Sequence, residues 1–210
     1  MSNNGTPPDS TQRLLAICGI IGPICYTIVI IILGLLRPDY NHITQLMSEL
    51  GEVSSPNAIV MNTAGFPLLG VLMIAFAFRL HRGISEGKGS KIGPALVALS
   101  GAGLVLSGIF PCDPGCVDES SVGITHSAFA MISAFAMIFA PLAISPRLWR
   151  DSLWHSYRYY TLATAIVAGV ISTVYGFTVF EEWTGALQRV SMGVPLLWME
   201  VMAIRLLRLS

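Results

Sequence analysis

Residues 14–36 contain no charged side chain, and five further stretches come close to that condition: 58–78, 92–110, 124–144, 159–180 and 190–209. Each is long enough to cross a hydrocarbon core of ~30 Å as a helix. The first lacks the short apolar region and small-residue cleavage site of a signal peptide, so it is expected to remain as a helix. The connections between the stretches are short and leave no room for a separate soluble domain. Composition agrees: only 11% of the residues are charged, where a soluble domain carries about 25%. The chain therefore reads as an all-α membrane protein, a bundle of six transmembrane helices forming one domain over residues 14–209. Residues 1–13 read as a disordered cytoplasmic tail, polar and without periodicity.

Charge sets the orientation. With the N-terminus inside, ten of the twelve Lys and Arg fall in inner segments, leaving Arg37 and Arg189 outside. The positive-inside rule then puts both termini in the cytoplasm of a multi-pass cell-membrane protein. Net charge is zero, so nothing points to nucleic acid as a partner. The inner connection over 147–160 mixes Arg with Trp and Tyr, as an interfacial anchor on anionic lipid does. Pro23, Pro67, Pro94, Pro141 and Pro195 mark local kinks. Small residues at helical spacing, including Ala165 with Gly169 and Ser172 with Gly176, suit close helix crossings.

Polar chemistry concentrates in residues 37–51. Ile43, Leu46, Met47 and Leu50 recur at helical spacing, while His42, Gln45 and Glu49 share a neighbouring face. The pattern predicts a short amphipathic helix in the first outer loop, lying in the membrane interface with His42 and Glu49 at its polar edge. The second outer loop contributes Cys112, Asp113 and Cys116. An Asp-Pro-Gly turn brings the two cysteines within reach of a disulfide, which an external compartment permits. Free thiols, or a metal held with His126, are the alternatives. His126 opens the fourth stretch. A lone histidine near a span end is ordinarily a hydrogen-bonded packing residue, but His42 and Asp113 on the same side add the option of acid–base or metal chemistry. Two histidines could also hold a haem, though no inner pair accompanies them. No GxSxG or HExxH motif occurs. Glu200 is the one acid deep in a span. It is expected either to hydrogen bond, with Asn62 as a partner, or to serve a proton or cation relay.

Tyr40-Asn41-His42, Ser48-Glu49-Leu50-Gly51, Phe110-Pro111 with Asp113-Pro114, His126, Gly185, Gln188-Arg189, Trp198 and Arg205 occur in an order and span context that is informative. In these the chain resembles the prokaryotic six-span membrane family of domain of unknown function 998, over nearly its whole length. The resemblance places His42, Glu49, Asp113, His126, Gln188 and Arg189 at family motif positions and implies no activity. The cysteines and Glu200 depart from it. The expectation is that His42, Glu49, Asp113, His126 and Arg189 converge in one outward-facing site for a lipid or lipid-linked substrate. A non-catalytic lipid-binding or scaffold protein, or a proton-coupled transporter using Glu200, are the competing readings. Membrane lipid and a lipid-like ligand are the partners these readings imply, and no cofactor is assigned.

Overall fold

The computed structural model describes residues 10–85, 91–176 and 181–209. Six helices are long and apolar enough to cross a membrane: α1 Ser10–Leu36, α2 Ala58–Arg82, α3 Ile92–Ile109, α4 Ser121–Leu148, α5 His155–Gly176 and α6 Thr184–Arg208. Residues 10–13, expected as part of the tail, are helical within α1; residues 1–9, like Lys88 and the 177–180 end of the fifth span, lie outside the described residues. No strand occurs among the described residues.

Each helix packs on its neighbour in sequence, and α6 closes the ring against α1. Inside the ring Leu69, Met73, Phe76, Leu80, Ile144, Leu148, Met199 and Leu206 are almost fully buried. Outside it, Leu35 and Ile59 are 79% and 73% exposed, an apolar belt that hydrocarbon solvates and water would not. α1, α4 and α6 run through Pro23, Pro141 and Pro195 without interruption. Ahead of Pro67 the backbone of α2 widens over Met61–Gly65 into i→i+5 bonding, with the Phe66 amide reaching the Met61 carbonyl. Proline supplies no amide to the preceding turn, and a π-turn is one way a helix absorbs that gap.

The end that carries the C-termini of α2, α4 and α6 is tied by buried side chains. Nε of Arg147 donates to the Ser85 carbonyl at 3.0 Å, and its Nη2 to the Ile84 carbonyl. Trp154 is fully buried and donates to the Gly83 carbonyl at 2.9 Å. Both satisfy carbonyls of the 83–85 segment, which leaves the end of α2 and has no helical partners for them. The 147–160 segment is therefore only partly the interfacial anchor its sequence predicts. Arg158, stacked 4.4 Å from the Trp149 ring and 4.6 Å from the Tyr159 ring, fits that description; Arg147 and Trp154 do not.

Candidate functional site

Residues 37–57 connect α1 to α2 at the opposite end. Only Met47–Gly51 is helical, as a 3-10 turn, and all five residues are buried. The amphipathic periodicity over 37–51 thus yields a shorter and deeper element than expected. The cause lies in where the backbone groups go. Asn41 and Gln45 turn their side chains on the local backbone, Asn41 Oδ1 accepting from Ile43 N at 2.8 Å and Gln45 Oε1 from Asn41 N at 2.8 Å. Such bonds compete with a helix. The carbonyls of His42 and Gln45 accept from Arg189, that of Ile43 from the Ala186 amide, and that of Leu46 from Tyr40 Oη. The Leu46 amide goes to the Glu49 carboxylate and the Met47 amide to Gln188. One i→i+4 bond remains, from Gln45 N to the Asn41 carbonyl at 2.9 Å, and elsewhere partners from α6 and from side chains take the place of the ladder.

Arg189 is the centre of this network. Nη1 donates to the carbonyls of His42, Gln45 and Gly185 at 2.6, 2.9 and 2.9 Å, and Nη2 to Tyr40 Oη at 2.6 Å and His42 Nδ1 at 3.1 Å. A guanidinium only donates, so Nδ1 of His42 accepts and the neutral ring carries its proton on Nε2. Burial, and then the charge of Arg189, push His42 below the ordinary histidine value. Burial pushes the Tyr40 hydroxyl up, against the pull of Arg189. Gly185 is needed for the approach: a Cβ there would strike the Gln45 backbone and come 2.9 Å from Arg189 Nη1.

Glu49 accepts from Gln45 Nε2 at 2.7 Å, which joins it to Arg189 through one intervening residue. Arg37 donates to the Glu49 carbonyl and pairs with Glu52 at 2.8 Å; Glu52 also accepts from the Gly115 amide at 2.6 Å, linking the first loop to the second. The second loop turns at Pro114–Cys116, with Gly115 in the left-handed region at φ 67°, and Cys112 and Cys116 form a disulfide with an S–S distance of 2.11 Å. Asp113 faces the start of α4, accepting from the Ser120 amide at 2.8 Å, the Ser120 hydroxyl at 2.7 Å and the Glu119 amide at 3.1 Å. Those bonds, Ser120 first, hold its carboxyl below the usual carboxylate range.

His126 stands apart from that network. Its Nδ1 lies 2.9 Å from the Ser107 carbonyl and 2.8 Å from the Phe110 carbonyl, at the end of α3. The edge of the ring meets Phe66 with centroids 5.9 Å apart. His126 is 2% exposed, and its Nε2 has no hydrogen-bond partner. It lines a cavity of about 550 Å³ to which all six helices contribute. Tyr26, Phe66, Met73, Leu104, Met192 and Leu196 supply apolar wall, and Ser48, Ser107, Tyr175 and Gln188 supply polar groups. The Ser107 hydroxyl is also buried without a partner. Sequence reasoning passed over Ser107 and Tyr175 as site residues, because a hydroxyl within an apolar span resembles routine helix packing. Ser48 and Gln188 gave a signal through their places beside Glu49 and Arg189.

The five residues expected to converge thus divide. His42, Glu49 and Arg189 share one network, Asp113 holds the start of α4, and His126 faces the cavity. Among the described residues no group of three His, Cys, Asp or Glu is gathered to hold a metal, and the disulfide engages both thiols of the expected Cys112–Cys116–His126 set. Asn62 donates to the Gly51 carbonyl at 2.7 Å instead of meeting Glu200. Glu200 lines neither this cavity nor the groove described next.

Between α4 and α5 lies a groove of about 750 Å³ that shares Phe135, Ile138, Ser172 and Gly176 with the cavity as lining. The close crossing expected from Ala165, Gly169, Ser172 and Gly176 is absent. A Cβ on Gly169 would meet only Ile138, at 3.9 Å, and one on Gly176 would meet nothing within 4 Å.

A ring of six apolar helices, with its loop network wound over a cavity that every helix lines, defines a polytopic membrane protein. The chain belongs to the family described as protein of unknown function (DUF998), whose model matches residues 20–205. No curated protein and no solved structure matches it.

Proposed function

We propose that this protein binds a lipid or lipid-like amphiphile within the ring, with the 37–57 end facing outward across the cell membrane. The cavity carries the reading. Ligand sites are concave and mostly apolar, with a few placed polar groups, and this one joins Met, Phe and Leu walls to His126, Ser107 and Gln188 at one end. Its volume lies within the range of small-molecule pockets, about 300–1,000 Å³. Met131 and Phe135 line the cavity and are also more than half exposed on the flank of the bundle, which supports entry from the bilayer. The outward orientation rests on the ten-to-two division of Lys and Arg.

Lipid mass analysis of protein purified in a mild detergent tests the proposal. A species enriched well above its share of the membrane, and displaced in Ala130→Phe, is the expected result. Bound lipid that merely mirrors the membrane, unchanged by that substitution, overturns it. A second reading, a scaffold without a ligand, draws support from Arg37, Arg189, Glu52 and Asp113, whose bonds all go to the protein itself. On this basis the loop residues have a holding role and His126 is the preferred candidate.

A further inference from the structure

We infer, resting on the amphiphile-binding reading above, that the headgroup taken by this cavity is a neutral hydroxyl held between Nε2 of His126 and the Ser107 hydroxyl, on a hydrocarbon tail that leaves between α4 and α5. Nδ1 of His126 sits 2.9 and 2.8 Å from two carbonyl oxygens. Carbonyls only accept, so Nδ1 carries a proton, and a ring with that one proton presents its lone pair at Nε2. That lone pair is buried in the wall of the cavity with nothing donating to it. Ser107 fixes the ring with its carbonyl while its own hydroxyl, likewise buried and unpartnered, belongs to the same cavity.

An alcohol answers both groups at once. It donates to Nε2 and accepts from Ser107 Oγ, since a hydroxyl offers one hydrogen and two lone pairs. A phosphate diester or a carboxylate offers acceptors only and leaves Nε2 unsatisfied. Among the described residues no Lys or Arg lines the cavity. The guanidinium of Arg37 is paired with Glu52, and that of Arg189 holds the 40–45 backbone and Tyr40. Among the described residues the one Asp or Glu in the lining is Asp118, exposed and accepting from Ser127 Oγ at 2.6 Å, which disfavours an anion at the rim. An ammonium head would have to shed its water among apolar walls with no carboxylate bonded to His126, a costly transfer. The tail has a continuous course, because Phe135, Ile138, Ser172 and Gly176 border both the cavity and the groove between α4 and α5.

The test uses the full chain in phosphatidylcholine nanodiscs at neutral pH. Two photoactivatable, alkyne-tagged probes are compared at equal mole fraction: a diacylglycerol, and a phosphatidylmethanol of the same acyl chains, a phosphate diester with no hydroxyl to donate. Diacylglycerol is expected to label α3 and α4 about tenfold more than phosphatidylmethanol, the discrimination one unsatisfied buried acceptor provides. Ala130→Phe, one turn below His126, is expected to abolish that labelling. Ser107→Ala retains the carbonyl that orients His126, and should lower labelling roughly threefold with the melting curve unchanged. Phosphatidylmethanol labelling as strongly as diacylglycerol, both lost in Ala130→Phe, overturns the hydroxyl assignment and leaves the amphiphile cavity standing. Labelling indifferent to Ser107→Ala also overturns the assignment. Labelling indifferent to Ala130→Phe sinks the cavity itself.

Discussion

Five acceptors converge on the two terminal nitrogens of Arg189, and three of them are backbone carbonyls. A lysine has one nitrogen and three donors on a flexible stem, so it cannot reproduce the fork. Arg189→Lys should therefore lower stability by on the order of 3 kcal/mol, since hydrogen bonds from charged groups contribute about 1.5–3 kcal/mol each. A lower apparent melting temperature in detergent is the readout, and an unchanged one would show that the fork contributes little. His42, beside it, gives the loop a pH dependence. Its folded value is lowered by burial and by Arg189, so on acidification the unfolded chain takes up this proton first. Stability from the neutral ring is fully present above the ordinary value of about 6.5 and declines as pH falls below it, until the folded form also protonates. In His42→Asn the amide oxygen can stand in for Nδ1 as acceptor. That variant should lose less stability than the parent as pH falls below about 6.5, and equal slopes would remove His42 as the cause. Arg189 and His42 were legible in the sequence because polar side chains beside long apolar runs are costly and therefore informative. Ser107 was not, because a serine in a span has the same sequence appearance whether it packs, bonds its own helix or faces a cavity.

Periodicity failed in a specific way over 37–51. Ile43, Leu46, Met47 and Leu50 keep helical spacing, yet most of that segment is irregular because α6 and Tyr40 supply the partners a helix would find within itself. A pattern of side chains records which face is apolar; it does not record whether another element competes for the backbone. The second loop was more legible, because Asp-Pro-Gly dictates a turn from local sterics alone and the chain adopts it with Gly115 left-handed. The Cys112–Cys116 bond closes so short a loop that its entropic contribution is about 2 kcal/mol, less than longer loops give. Reduction should shift gel mobility, and both thiols should resist an impermeant maleimide until a reductant is added. Labelling of both without reductant would contradict the disulfide. Since Glu52 also ties this loop to the first through the Gly115 amide, Cys112→Ser should lower stability modestly and leave the turn in place.

At the scale of the whole molecule, the six spans were readable because lipid imposes one requirement on every spanning segment, the internal satisfaction of backbone groups. Their arrangement was not. Sequence does not tell a helix face that meets lipid from one that meets a neighbour when both are apolar, and so the small residues of α5 suggested a tight seam where the structure has an open groove. The proposed outward orientation of the loop network rests on charge alone. The cations cluster at the end formed by the last turns of α2, α4 and α6, where Arg79, Arg82, Arg147, Arg205 and Arg208 sit with Arg150 and Arg158 close by. Moving that end outward would translocate ten of twelve basic residues, against the bias that governs insertion. Single cysteines placed at exposed Lys91 and Glu119, in a background lacking the four native cysteines, report the two ends. Glu119→Cys should react with a membrane-impermeant maleimide in intact cells, and Lys91→Cys only after lysis. The reverse pattern would turn the cavity mouth toward the cytoplasm, and any amphiphile it binds would then come from the inner leaflet.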